Sequence, residues 1–143
     1  MKITAILLSL IIIASPVVYG AEMEEIPGKA ITLEKLEEMF QNIENNGEWD
    51  MTNNMLWGYF FTHSEPSKLE EAASILFKKG YKVVDIYQSD KEEENEPDMY
   101  WLHVEKIETH TPDSLDKRNN EFYIFANDFG LESYDGMDVG PVN

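Results

Sequence analysis

Residues 67–87 of the chain, SKLEEAASILFKKGYKVVDIY, contain a helical pattern that passes through Gly80 into an apolar strand. The apolar residues of the first part recur at i, i+3, i+4, i+7 and i+8, the pattern of a helix with one core-facing side. They are Leu69, Ala72, Ala73, Leu76 and Phe77. Ser67 and Glu70 have the spacing of a capping box. Gly80 is expected to end the helix, and 81–87 is predicted as a strand.

A further strand is predicted on each side of this unit along the chain. Residues 55–62, MLWGYFFT, are rich in aromatic side chains and too short for an isolated helix, and their continuous apolarity predicts a central strand. Residues 99–108 alternate in character, which places Trp101, His103 and Glu105 on one face of a third strand. The acidic segment 89–97 between strands is predicted as a solvated hairpin loop.

The remaining segments supply two helices and a last strand. Thr32 is a predicted N-cap for a helix that ends at Gly47, with an apolar stripe of Leu33, Leu36, Phe40 and Ile43. Thr111 and Pro112 have the N-cap and first-turn positions of a helix that runs to Phe129. A final strand is predicted over 131–139, interrupted at Asp135-Gly136.

The order after the first helix is therefore β-α-β-β-α-β, which predicts an α+β fold. Two split βαβ units with right-handed crossovers give a ferredoxin-like two-layer sandwich with strand order 4-1-3-2. Both helices then cover one face of an antiparallel sheet. We expect this domain to span 53–143, preceded by an acidic linker and an extra N-terminal helix in 21–52 whose docking the pattern leaves open.

Residues 1–20 have the layout of a secretory signal peptide. Lys2 precedes an apolar run, and a Ser-Pro pair leads to small residues before an acidic stretch. The apolar run is short for a membrane span, although an uncleaved anchor is the alternative. We predict cleavage between Gly20 and Ala21, a periplasmic or secreted mature protein, and no stable membrane span once the leader is removed.

The charge balance restricts the kinds of partner. The chain has 28 acidic and 11 basic residues and a net charge of −17, and removal of the leader with its one lysine makes this −18. Such a surface repels phosphate backbones and anionic lipids, so no nucleic-acid partner is expected. A basic protein partner fits it. The chain has no cysteine, which excludes disulfides and a thiol nucleophile.

No recognisable catalytic motif accompanies these elements. The chain lacks a G-x-S-x-G elbow, a phosphate-binding glycine loop and an EF-hand pattern, so we expect a protein that is not an enzyme and has no cofactor. The alternative is a metal-binding or small-ligand-binding accessory protein. It would use His63 and His103, which adjacent strands bring close if they share a sheet face, together with nearby acids.

The most specific candidate surface is aromatic. A two-layer sandwich leaves one sheet face without helices, and we assign to it a partner-binding set: Trp57, Tyr59, Phe61, Trp101 and His103. Two interpretations remain open. The N-terminal helix covers this face, which is the favoured one, or the face binds a protein through its Trp and Tyr side chains.

Several stretches are similar to the ribonuclease E inhibitor RraB family over about residues 53–140. The similar stretches are 69–85, Trp101 to Lys106, Thr111-Pro112, Phe129-Gly130 and Tyr134-Asp135-Gly136. The resemblance implies a ferredoxin-like fold and a small, acidic, non-enzymatic protein. It also implies regulation by protein contact, since the members that name the family bind and inhibit the cytosolic ribonuclease E machinery. The predicted leader places this chain outside the cytosol, so the sequence predicts an RraB-like regulatory domain with an unknown protein partner. Inhibition of ribonuclease E by an unexported form is a further alternative.

Overall fold

The structure, a computed structural model, describes residues 25–143. The predicted leader and its cleavage site at Gly20 and Ala21 lie outside these residues. The elements in chain order are α1 (Leu33–Asn46), β1 (Met55–His63), α2 (Pro66–Lys78), β2 (Lys82–Gln88), β3 (Tyr100–Glu108), α3 (Pro112–Phe129) and β4 (Ser133–Gly140). Within the described chain no helix is long and apolar enough to span a membrane.

The strands form one antiparallel sheet in the order β2-β3-β1-β4. This is the predicted ferredoxin-like topology, with β1 in the centre as its apolar sequence indicated. The pairing of β1 with β4 shifts register between Phe60 and Phe61, where Asp135 is the extra residue. The interruption predicted at Asp135-Gly136 is therefore a β-bulge, which bends the edge strand.

Most predicted helix ends are confirmed. The Thr32 and Thr111 hydroxyls accept hydrogen bonds from Lys35 N and Ser114 N, and α3 ends at Gly130 in the left-handed conformation that glycine adopts without strain. The capping box of Ser67 and Glu70 is wrong. Helix α2 begins at Pro66 with Glu65 as the N-cap, two residues before the predicted cap, so Ser67 lies inside the first turn.

The core lies between the sheet and helices α2 and α3, and Phe122 of α3 is at its centre. Its ring contacts Tyr59, Phe61, Tyr81 and Tyr134, with ring centroids 4.9–5.5 Å apart. Aromatic pairs of this kind add stability beyond their buried area. The exposed Phe77 departs from the prediction. It lies about 80° around the helix from Leu69, whereas Leu76 lies only about 20° away and is buried.

Helix α1 packs on the helical layer and not on the open sheet face. Phe40 stacks on Trp57 at 6.2 Å, and the segment before the helix is joined to α3 by hydrogen bonds from Ile31 N to Tyr123 and from Lys29 to Asp116. The favoured expectation that this helix covers the opposite face is therefore wrong. The apolar stripe of α1 indicates that one side of the helix is buried. The polar contacts with α3 determine which layer of the sandwich it packs against.

Candidate functional site

The sheet face opposite the helices, here called the open face, is built from alternate residues of the four strands. Its members include Leu56, Gly58, Phe60 and Thr62 of β1, Trp101, His103, Glu105 and Ile107 of β3, Lys82, Asp85 and Tyr87 of β2, and Asp138 and Gly140 of β4. None of the described helices covers it. The alternation predicted for β3 is confirmed, because Leu102 and Val104 are buried on the other side.

The five residues predicted to bind a partner divide between the two faces. Trp101 and His103 are half-buried on the open face. Trp57, Tyr59 and Phe61 have no exposed surface, because they point into the helical layer, so placing them on the binding surface was wrong. The aromatic residue of β1 that lies on the open face is instead Phe60, which is opposite His103 in the register of β1 and β3.

Four aromatic rings on the open face form a continuous surface, here called the aromatic strip. Tyr87 stacks on Trp101 with centroids 6.4 Å apart, and Trp101 meets the edge of Phe60 at 6.2 Å. Phe60 in turn stacks on the His103 imidazole at 4.5 Å. The strip crosses β2, β3 and β1. Sequence reasoning missed Phe60 and Tyr87; Tyr87 lies beside Trp101 through the register of β2 and β3, which alternation within one strand does not give.

Carboxylates surround the aromatic strip; they belong to Asp85, Glu105, Asp135 and Asp138. Partial burial, together with the charges of Asp85, Asp138 and Asp135, raises the pKa of Tyr87. Burial also raises the pKa of Asp135. Among residues 25–143, no lysine or arginine forms an ion pair with any of the four; Glu105 has only His103 at 3.8 Å. Four carboxylates and one lysine, Lys82 opposite Glu105, therefore lie around the strip, and the local charge is net negative.

A notch in the middle of the open face is formed by Gly58. A Cβ atom at this position would clash with Asp138 Oδ1 and lie 2.9 Å from His103 Nε2. The absence of a side chain at Gly58 therefore lets the imidazole of β3 and the carboxylate of β4 converge across β1. His103 Nε2 is buried and has no hydrogen-bond partner in the described structure.

The histidines do not form the site that the metal-binding alternative requires. Strand alternation places His63 on the helical side, where its Nδ1 accepts a hydrogen bond from Glu65 N, while His103 lies on the open face. The expectation that they share a face was wrong. Among the described residues no group of three His, Asp or Glu side chains is placed to hold a metal ion.

The third histidine belongs to a buried polar network behind the sheet. Glu108 Oε2 accepts hydrogen bonds from Tyr59, His110 and Arg118. Burial alone would raise the pKa of Glu108, but these hydrogen bonds and the Arg118 charge lower it to about 2. The network ties the end of β3 to β1 and α3.

The same network contains a serine, a histidine and a carboxylate in hydrogen-bonding order, since His110 Nδ1 lies 2.8 Å from Ser114 Oγ. A nucleophilic serine needs a free, activated oxygen. Here Ser114 Oγ accepts a hydrogen bond from Thr111 N at 2.9 Å as part of the helix capping box. Glu108 is likewise engaged by Arg118 and Tyr59. Because the oxygens of Ser114 and Glu108 are both engaged in these hydrogen bonds, the Ser114–His110–Glu108 arrangement has a structural role.

One protein-family model matches most of the chain. The model of the family described as regulator of ribonuclease activity B, RraB, matches residues 33–139. The match includes helix α1 as well as the sandwich. No curated protein that was compared matches the chain. Because the family model covers most of its length, the chain belongs to the RraB family of ribonuclease activity regulators.

Proposed function

We propose that this protein is a non-enzymatic regulator that binds a basic protein partner through the open face of its sheet. The observation that supports this most directly is the aromatic strip, Tyr87, Trp101, Phe60 and His103, within a ring of carboxylates that have no cationic partner in the described chain. Aromatic rings supply binding area at low entropic cost, and Tyr and Trp dominate the energies of protein interfaces.

The charges of the open face favour lysine or arginine on the partner. A cation over an aromatic ring is stabilised by electrostatic attraction to the ring and to neighbouring carboxylates. Lys82 is opposite Glu105 in the register of β2 and β3, but no ion pair joins them. The acids around the strip are therefore available to a partner, and they would speed its association by long-range attraction.

Regulation by protein contact agrees with the description of the family. We further propose that the chain acts outside the cytosol, in the periplasm or after secretion, on a partner other than cytosolic ribonuclease E. The support for this is the signal-peptide layout of residues 1–20. Cell fractionation with mass measurement tests it: a mature chain starting at Ala21 in the exported fraction supports export, and an intact Met1 chain only in the cytosol contradicts it.

A capture experiment tests the binding face. The mature protein, a variant carrying Tyr87→Ala with Trp101→Ala, and the control Phe77→Ala are immobilised and exposed to the envelope fraction. Phe77 is an aromatic residue of α2 with 67% of its surface exposed, away from the open face. A protein retained by the mature chain and by the Phe77 variant, but lost with the double variant, is the expected result. Equal recovery on all three contradicts the proposal.

A further inference from the structure

A cavity lies in the helical layer, at the end of the sandwich away from the aromatic strip. It has a volume of about 450 Å³, within the usual range for small-molecule sites. Its walls come from the end of α1, the loop that follows, and the turn between β3 and α3. The apolar part consists of Phe40, Trp49 and Met51, and the ring of the buried His110 forms part of the lining. This cavity is called the α1 cleft.

The α1 cleft is held in shape by contacts within its own walls. Phe40 stacks on Trp57, and Trp57 meets the edge of His110 at 5.2 Å, so one wall is continuous with the core. Thr109 Oγ1 donates a hydrogen bond to Asn54 at 2.8 Å, which joins the turn after β3 to the loop after α1. A site whose walls are fixed before binding loses less entropy when a ligand enters.

Negative charge at the rim specifies the kind of ligand. Glu44 and Asp50 line the cleft, and no lysine or arginine does. Hydrogen bonds from the hydroxyl and the backbone N–H of Thr52 lower the pKa of Asp50 and hold its carboxylate in one position. An apolar cavity with an anionic rim complements a molecule with an apolar body and a cationic end.

We infer that the α1 cleft is a binding site for a small amphipathic cation, an aromatic or alkyl amine whose apolar body contacts Phe40, Trp49 and Met51. The ammonium group lies at the rim near Glu44 and Asp50. This site is separate from the open face and does not depend on the proposed function. The threonine hydroxyls at the rim give the ammonium group further acceptors.

The three tryptophans provide a direct test, because Trp49 lines the cleft, Trp57 is in the core and Trp101 is on the open face. The indole N–H resonances of the protein are followed by NMR during titration with phenethylammonium, 2-phenylethanol and 3-phenylpropionate. These probes share a phenyl ring and differ in charge. We expect saturable shifts at Trp49, strongest for the cation and weakest for the carboxylate.

Two variants complete the test. Glu44→Gln is expected to weaken phenethylammonium binding by about two- to fivefold, the range of one exposed charge pair, and to leave 2-phenylethanol binding unchanged. Glu37→Gln, on the same helix but outside the cleft, is the matched control. Met51→Trp fills the cleft and is expected to abolish the shifts. Absence of saturation at Trp49, tightest binding of the carboxylate, or shifts confined to Trp101 would overturn the inference.

Discussion

The phenol ring of Tyr87 lies parallel to the indole of Trp101, with ring planes 15° apart and centroids 6.4 Å apart. The residues are direct partners in the register of β2 and β3. Because Tyr87 is on an edge strand and remains 40% exposed, this pair extends the aromatic strip to the border of the open face. The strip is therefore accessible to a partner approaching from the β2 side.

Removal of the indole is expected to weaken partner binding far more than folding. Trp101→Ala should raise the dissociation constant at least tenfold, since central interface tryptophans contribute about 2 kcal/mol or more. Calorimetric titration of the purified partner measures this. The variant should remain folded, because Trp101 is only half-buried. Phe77→Ala is the control, and an equal loss of affinity in both variants would assign the effect to general destabilisation.

The acids around the strip are expected to act mainly on the association rate. Asp85→Asn combined with Asp138→Asn should slow association with a basic partner by about two- to tenfold at low salt. The difference should shrink at about 0.5 M salt, where exposed charges are screened. Stopped-flow or surface-based kinetics measure both. Asp128→Asn on α3 removes a charge from the other side of the molecule and should leave the rate unchanged; a partner that associates faster with the double variant is not basic.

Gly58 is expected to tolerate no branched side chain. A Cβ there would lie within 3 Å of Asp138 Oδ1 and His103 Nε2, so Gly58→Val should lower the free energy of unfolding by about 1–3 kcal/mol. Valine would otherwise favour a strand. Gly140→Val is the matched control, since a Cβ at Gly140 of β4 meets nothing within 4 Å. Denaturant unfolding measures both, and equal stabilities would show that the notch at Gly58 is unimportant.

The topology of the sandwich was predictable from sequence because apolar periodicity marks the helices, and Thr caps at the start and glycines at the end bound α1 and α3. The face of β1 was not predictable. Residues Trp57 to Phe61 are almost all large and apolar, so no alternation distinguishes the odd from the even positions. Packing decides it: Phe122 contacts Tyr59 and Phe61, which leaves Phe60 on the open face. The predicted position on the open face is therefore confirmed for Trp101 and His103 and wrong for Trp57, Tyr59 and Phe61, and partner binding by the first two stays a prediction.

The docking position of α1 and the hydrogen-bond network around Glu108 could not be predicted from sequence either, because both depend on contacts between residues that are distant along the chain. The pairing of Lys29 with Asp116, 87 residues apart in sequence, has no local signal. Glu108 was one of 28 acids, and its sequence neighbourhood gave no reason to single it out. Only the fold brings Arg118 and Tyr59 to its carboxylate.

Stability is expected to fall in acid through Glu108. Its pKa is about 2 in the folded protein and about 4.5 when unperturbed, so the native state is stabilised above pH 4.5 and loses this contribution as the pH falls towards 2. Glu108→Gln should destabilise the protein by about 2 kcal/mol or more at pH 7, because Arg118 loses its charge partner.

The difference between the Glu108→Gln variant and the unaltered protein should be constant above about pH 5 and narrow below pH 4.5. Thermal unfolding across this range measures it. Asp116→Asn, which removes a partly buried ion pair with Lys29, is the control and should cost less than Glu108→Gln, because water still reaches both side chains of the pair. A gap between Glu108→Gln and the parent that stays unchanged down to pH 2 would mean that Glu108 is not the titrating group.

Site-specific photo-crosslinking in living cells tests the open face most directly. A photoreactive phenylalanine analogue replaces Tyr87 in one strain and Phe77 in another, so that both probes sit at exposed aromatic positions on different sides of the molecule. We predict that the probe at position 87 forms an adduct with one protein, and that Asp85→Asn with Asp138→Asn reduces this adduct. No adduct at position 87, or the same adduct at position 77, would contradict binding through the open face.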